Sequence, residues 1–382
     1  MSKSFYLDAG ATTPVSNGVY DAMLPYFKDK FYNPSAEYMP SYNVSKEIEE
    51  ARAYIADYMG CLPNEVYFTS GASESNSWAI QGWIRSHPNG RVLISNIEHH
   101  SIMAIEEDPF YEKYIDIYPV NNDGHITLDK IYDVLERVCY TCNPKDILVS
   151  IQYANNEIGT IQDVLTIAGG IKDFGANVFS DATQMVADGG FELGFSRNID
   201  MMSMSGHKIG APKGIGILLV KNEIDLPPLI YGTQNFGKRG GTENVPYIIG
   251  LKEAFMELAT QNIDRNKIVE CRDLLFSEIN KITPIKMNGS YDRLANNLNI
   301  TFEKEIYGVA LMAILSALDT FISIGSACNA RSGEISHVLN AIGVSEEDAM
   351  RTVRITLPKD IKKDDITEIV EKFKTAIELL DE

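Results

Sequence analysis

Short apolar runs recur through the first 220 residues, and small and polar residues gather at their ends. EVYFTS (65–70) passes into GASESNSWAIQGWI, RVLIS (91–95) into NIEHHSIMAI, and DILVSIQ (146–152) into YANNEIGT. ANVFSDAT (176–183), DMMSMSGHK (200–208) and GIGILLV (214–220) follow. Runs of this length read as strands, and strands alternating with helical periods imply a mostly parallel α/β sheet. Such a sheet gathers ligands at the carboxyl ends of its strands. The polar clusters fall there, so they are the first place to look for chemistry.

The texture changes near Val245. VPYIIGLKEAFMELATQNIDRNKIVECRDLLFSEIN spaces its apolar residues helically and reads as a long connecting helix or helix pair. NNLNITFE (296–303), TFISIG (320–325) and TVRITL (352–357) then read as strands separated by helices, a second and smaller α+β domain. The expected boundaries are 15–250 for the large domain, and 1–14 with 251–382 for the small one. A length of 382 residues with 45% hydrophobic and 23% charged content suits two folded domains.

The net charge of −19 predicts repulsion from nucleic-acid phosphate, and no lysine or arginine run offsets it, so direct nucleic-acid binding is not expected. The start, MSKSFYLDAGATTP, lacks the basic-then-apolar pattern of a signal peptide. GVALMAILSALDTFISIG is broken by Asp319 and reads as core, not as a membrane span. A cytoplasmic protein is the expectation. Five scattered cysteines argue against a disulfide framework. Cys139 and Cys142 form a CxxC with no second ligand pair, which reads as a turn before a strand and gives no metal site.

Several residues could carry chemistry. Lys208 follows Ser205, Gly206 and His207 at a strand end, among Gly210, Ala211, Gly214 and Gly216. A confined lysine loses hydration and charge, which frees its amine for a Schiff base. Asp181 ends another strand and suits the acid that keeps a pyridoxal phosphate nitrogen protonated, with Gln184 nearby for the ring oxygen; its plainer use is to cap the next turn. Gly71, Ala72 and Ser73 precede a helix whose start suits a phosphate, although Ser73 could simply be the N-cap. His99 could stack on a ring and move protons, with His100 as its competitor. Arg354 on a predicted strand suits a substrate carboxylate, and Arg351 is an equal candidate. Cys328, among Gly325, Ser326, Ala327, Asn329 and Ala330, reads by itself as a small buried residue.

Taken in order, YLDAGATTP, NPS, FTSGASES, EH at 98–99, YANNEIGTIQD, DATQ, SMSGHKIGAPKGIG, RGGTENVP, GSAC and VRITL resemble the cysteine desulfurases of the NifS/IscS type. The resemblance runs from about Tyr6 to Leu357. It implies the pyridoxal-phosphate-dependent transferase fold of type I, with a mostly parallel seven-stranded-type sheet in the large domain. It implies pyridoxal 5'-phosphate as cofactor, carried by Lys208, with Asp181 on the pyridine nitrogen and Gln184 on the ring oxygen. His99 matches the stacking histidine that moves protons. Ala72, Ser73, Ser205 and His207 match the phosphate cup, and Asn156 a cofactor-side asparagine that also contacts the substrate. Thr242 matches a residue that reaches the neighbouring subunit's phosphate, which implies a homodimer. Arg354 matches the substrate-carboxylate arginine and Cys328 the nucleophile.

The implied reaction converts L-cysteine to L-alanine, leaving sulfur as a persulfide on Cys328 for an acceptor protein such as an iron–sulfur scaffold or a thiolation factor. A selenocysteine lyase or C–S lyase of the same fold is the nearest alternative, and a catalytically weak scaffold in a sulfur-transfer complex is the alternative of another class. The spacing after Cys328 resembles the longer-loop branch, in which the cysteine carries sulfur outward; Gly325, Asn329, Ser332 and Gly333 favour irregular backbone. The sequence also departs from the family pattern: Tyr38 stands where histidine is usual, Phe236 where arginine is usual and Gly240 where serine is usual, Gly232–Thr233 occupies the glycine run, and TLPK replaces an SLGR-like end.

Overall fold

The structure is a computed structural model that describes residues 3–189, 195, 198–260, 264–324 and 335–381. Its strands are β1 (Phe5–Tyr6), β2 (Val66–Thr69), β3 (Arg91–Ser95), β4 (Ile115–Tyr118), β5 (Ile147–Gln152), β6 (Asn177–Asp181), β7 (Met201–Ser205), β8 (Gly216–Val220), β9 (Ile285–Met287), β10 (Asn297–Phe302), β11 (Thr320–Phe321) and β12 (Thr352–Thr356). Seven form one sheet in the order β2-β8-β7-β6-β5-β3-β4. Pairing is parallel from β4 through β7 and antiparallel on both sides of β8.

The six apolar runs in the first 220 residues become six of these strands. The central ones are buried along their whole length, as β5, β7 and β8 show. Such continuity is what a sheet covered on both faces requires. Leu93, Val149, Ile151, Val178, Met202 and Leu219 pack to one side, and Val92, Ile94, Leu148, Phe179, Met201 and Leu218 to the other. β4 was not anticipated. It is a short edge strand that carries Asp116 paired to Arg91 at 2.6 Å, so its apolar signal is weak. β8 runs backwards because residues 206–215 are too few for a crossover helix.

The later part follows a different rule. β12-β10-β9 form an antiparallel sheet. Leu298, Ile300, Phe302, Val353 and Ile355 turn one way, into a core shared with Leu275, Ile279 and Phe373 of the helices Arg265–Ile282 and Lys363–Asp381. The helical stretch after Val245 is a pair, Val245–Thr260 and Arg265–Ile282. At the N-terminus, β1 pairs in parallel with β11, and Asp8 bridges to Thr356. β11 is shorter than the expected 320–325, with Ser323 making only an isolated bridge to Arg354. No helix among the described residues is long and apolar enough to cross a membrane.

Candidate active site

A cavity of 490 Å³ opens at the carboxyl ends of β5, β6 and β7. It is lined by Lys208, Asp181, Gln184, His99, Asn156, Arg354, Ala72, Ser73, Ser205 and His207. Ten residues from six separate stretches of sequence thus line one cavity.

Lys208 ends a single turn, Gly206–Lys208, directly after β7. The N-terminal segment clamps that turn: Thr13 donates to the His207 carbonyl at 2.9 Å and accepts from the Gly210 N–H at 3.0 Å. Lys208 Nζ donates to the carbonyls of Gly10 and Ala11, both at 2.6 Å. Burial pulls its pKa down to about 8, helped by the Arg354 charge and opposed by Asp8 and Asp181. An amine with that pKa is neutral in an appreciable fraction near pH 7, which is what a nucleophilic lysine needs.

Asp181 is nearly fully buried at the end of β6. One carboxylate oxygen accepts the Thr183 N–H at 3.0 Å, so it does cap the next turn. The other accepts from Asn76 Nδ2 at 2.9 Å. Asn76 also donates to Ser101 Oγ at 2.9 Å, and Ser101 Oγ lies 2.8 Å from His99 Nδ1. His99 is the N-cap of the helix His100–Glu106, its Nδ1 accepting the Ser101 N–H at 3.1 Å. That acceptor role places the proton of the neutral ring on Nε2. Burial lowers the pKa of His99, partly opposed by Asp181. His100 also lines the cavity but is exposed. Gln184 donates to the Gly10 carbonyl at 3.0 Å.

Ser70, Gly71, Ala72 and Ser73 close the opposite end. The helix Ala72–Ser86 starts there with Gly71 as N-cap, so Ser73 lies inside the first turn and is not the cap. Gly71 has φ +152°, and a Cβ on Gly216 would lie 2.6 Å from the Gly71 Cα. Those two glycines let the helix start press onto β8 beside Ser205. Free N–H groups, the hydroxyls of Ser73 and Ser205, and Lys213 make a cradle suited to a phosphate. Glu74 does not spoil it. Arg239 holds that carboxylate at 2.8 and 3.0 Å, and the Ser70 N–H adds a third bond at 2.7 Å. His207 shares a hydrogen bond with Thr12 at 3.0 Å, and burial followed by Lys208 and Lys213 lowers its pKa to about 4. The donor set therefore fits pyridoxal phosphate: a half-buried amine, a buried carboxylate across the floor, and a phosphate cradle at one end.

Arg354 faces the cavity from β12, donating to the Asn156 carbonyl at 3.1 Å and to Asp8 Oδ1 at 2.8 Å. Arg351 is elsewhere, paired with Asp348 at 2.6 Å and bonded to the Glu303 carbonyl. Asn156 Oδ1 accepts from Gln152 at 3.0 Å. Thr242 is exposed on the loop that Arg239 ties to Glu74, and it does not line its own chain's cavity. Cys328 lies outside the described residues, as do Gly325, Asn329, Ser332 and Gly333. The residues flanking that segment reach the cavity wall. Ser323 exchanges backbone hydrogen bonds with Arg354 at 3.0 and 2.7 Å. Ser336 Oγ donates to Glu157 at 2.8 Å, and His337 Nε2 donates to the Glu98 carbonyl at 2.9 Å.

Asn76, Glu98, Glu157 and His337 were not singled out by sequence reasoning. Glu98 is fully buried, accepts from Ser150 at 3.0 Å, and is pushed up to about 8 by burial and then by Asp181. Glu157 is likewise buried and raised by desolvation, with Arg354 opposing. Adjacency was the one available signal: Glu98 and Glu157 directly precede and follow named residues.

Among these departures, Phe236 has φ +58° and lies over the buried Arg52 guanidinium at 4.8 Å, with Phe68 at 4.7 Å also stacked against it. A Cβ on Gly240 would lie 2.7 Å from the Gly232 Cα, so this loop has no room for serine. Tyr38 is exposed before the helix Met39–Met59.

The model of the family described as aminotransferase class-V matches residues 5–369. A cysteine desulfurase IscS of Methanosarcina thermophila is 36% identical over 99% of this chain and 93% of its own length. The X-ray structure of a NifS-like protein from Rickettsia africae superposes with a TM-score of 0.87 at 28% identity, covering 98% of this chain and 100% of the other. A structure described as SspA in complex with cysteine is 34% identical with a TM-score of 0.80, covering 93% and 99% of the two chains.

Proposed function

The chain belongs to the aminotransferase class-V family, as one of its cysteine desulfurases, and we propose that it converts L-cysteine to L-alanine and holds the sulfur as a persulfide on Cys328. One observation carries the reading: a half-buried lysine, a buried aspartate and a buried arginine share one cavity, and both flanks of the Cys328 segment attach to its wall.

Pyridoxal 5'-phosphate, when bound, supplies an aldehyde for covalent attachment and a ring that withdraws electrons from the substrate Cα. Lys208 would carry it, Asp181 would accept the pyridine N–H, Gln184 would face the ring oxygen, and Asn156 would lie on the cofactor side. Ala72, Ser73, Ser205 and His207 would hold the phosphate. Arg354 takes the substrate carboxylate, with Asp8 and the Asn156 carbonyl fixing its plane. Lys208 Nζ, neutral above about pH 8, accepts the Cα proton, and His99 Nε2 holds a second exchangeable proton in the same wall. Cys328 Sγ, as thiolate, attacks the substrate sulfur. The S–S bond forms as the C–S bond breaks, the bonding pair stays on carbon, and a proton completes alanine.

The exposed Thr242 supports a homodimer in which this loop reaches the partner's cradle. An acceptor protein then removes sulfur from Cys328. We take 15–250 as the cofactor-binding unit, and 1–14 with 251–382 as the unit that supplies Arg354 and Cys328. The test is mass spectrometry after incubation with L-cysteine. Wild type gains one sulfur atom on Cys328 and forms alanine, and Cys328→Ala does neither. Sulfide release with unchanged alanine formation in that variant would point to a C–S lyase and remove Cys328 from the reaction.

A further inference from the structure

We propose that Asn76 is a positioning residue that joins the Asp181 carboxylate to the His99 ring, so that the cofactor's nitrogen partner and its stacking histidine are set by one side-chain amide. The proposal rests on the cofactor reading above. Asn76 is wholly buried in the second turn of the helix Ala72–Ser86. A buried amide must place four hydrogen-bonding sites. Its two Nδ2 bonds go to Asp181 Oδ2 and Ser101 Oγ, each at 2.9 Å, and its Oδ1 accepts from Ser203 of β7. The orientation is not free. An ionised carboxylate only accepts, so the nitrogen must face Asp181, and Ser203 then supplies the proton that Oδ1 requires.

Consequences follow at both ends. Asp181 has two inward bonds, one from Thr183 and one from Asn76, which fix the plane of its carboxylate while leaving a lone pair on each oxygen. Ser101 Oγ, having accepted from Asn76, turns its own hydrogen toward His99 Nδ1 at 2.8 Å. With the Ser101 N–H also on Nδ1, His99 keeps its proton at Nε2. Three separate elements, the strand end at Asp181, the N-cap at His99 and β7 at Ser203, thereby converge on one amide of a fourth. No charge is added to the cavity floor, since Asn76 is neutral; Asp181 keeps its carboxylate for the pyridine nitrogen.

The experiment compares Asn76→Ala, Ser101→Ala and the double variant with wild type. Two readouts are taken: the dissociation constant for pyridoxal phosphate by equilibrium dialysis, and the 15N shift of His99 Nδ1 in histidine-labelled protein. Asn76→Ala should weaken cofactor binding at least tenfold and also move the His99 resonance. Ser101→Ala should move the resonance with less than a twofold change in cofactor binding. The double variant should displace the resonance no further than either single change, because both cut one chain of bonds. A His99 resonance unmoved by Asn76→Ala, or additive shifts in the double variant, would overturn the proposal. Should Asn76→Ala not fold, an unmoved resonance in Ser101→Ala, whose side chain is only half-buried, has the same force. Borohydride reduction with pyridoxal phosphate separates the two readings. Failure to label Lys208 would refute the cofactor assignment, while the His99 resonance would still decide whether Asn76 governs it.

Discussion

The two sheets deliver functional groups in different ways. β5, β6 and β7 are apolar to both sides, and their contributions to the cavity come from where they stop: Gln152, Asp181 and Ser205, with Lys208 just beyond. The antiparallel sheet alternates along its length. Val353 and Ile355 enter the apolar core, while Arg354 lies on the other face, directly opposite Asn299 of β10. A parallel sheet covered by helices has no free face, so it can present chemistry only at its ends. An antiparallel sheet with one apolar face can present a side chain from mid-strand. The division predicts that lesions at strand ends will remove activity and spare the fold, while lesions on the apolar face of the small sheet will do the reverse.

The strongest test of that contrast is Lys208→Ala, for which alanine formation should fall by about a thousandfold or more, the range for a lost proton-transfer group. Thermal unfolding of the cofactor-free variant should stay close to that of wild type, because the change removes a partly desolvated charge along with its two bonds to Gly10 and Ala11. Phe302→Ala, on the small sheet's apolar face, should cost about 3–5 kcal/mol of stability in denaturant titration while alanine formation per folded molecule persists. Loss of activity in the folded fraction would break the contrast.

Glu98 gives a test at the boundary. Its pKa is raised from 4.5 to about 8, so the folded protein holds a proton that the unfolded chain releases. Its contribution to stability is complete below pH 4.5 and is lost as pH rises to about 8, by an amount on the order of a few kcal/mol. Glu98→Gln should flatten this part of the stability profile. The smallest effect is expected for Arg354→Lys, which keeps charge and loses the planar fork. KM for L-cysteine should rise by about 10- to 100-fold, the equivalent of one charge-assisted hydrogen bond, with a smaller change in kcat.

The same contrast explains what could be read from sequence. Strands buried on both faces are continuous apolar runs, so β2, β3, β5, β6, β7 and β8 stood out, as did the small residues around Lys208. β4 did not, because Asp116 interrupts a four-residue edge strand. Residue pattern alone leaves Arg354 and Arg351 equal and only the resemblance favours Arg354; β12 holds Arg354 in mid-strand on the cavity face, with Arg351 beside Asp348. Asn76 carries no local signal at all, and Glu157 only its adjacency to Asn156. A buried polar residue is defined by partners such as Asp181 and Ser336, which lie more than a hundred residues away. Thr242 is exposed and does not line the cavity, and in the proposed homodimer it would touch the other copy.

The close approach of Gly232 and Gly240 has a consequence for how this loop can change over generations. Each lacks the atom that would strike the other's backbone, and Gly240 also donates to the Ile230 carbonyl at 2.8 Å. Neither can acquire a side chain alone without prising the turn apart. A lineage that carries serine at the second position must also have moved the Tyr231 carbonyl, which that Cβ would strike, so Gly240 and the backbone at Tyr231 should shift together. Arg239 and Thr242 are then inherited as parts of one loop shape.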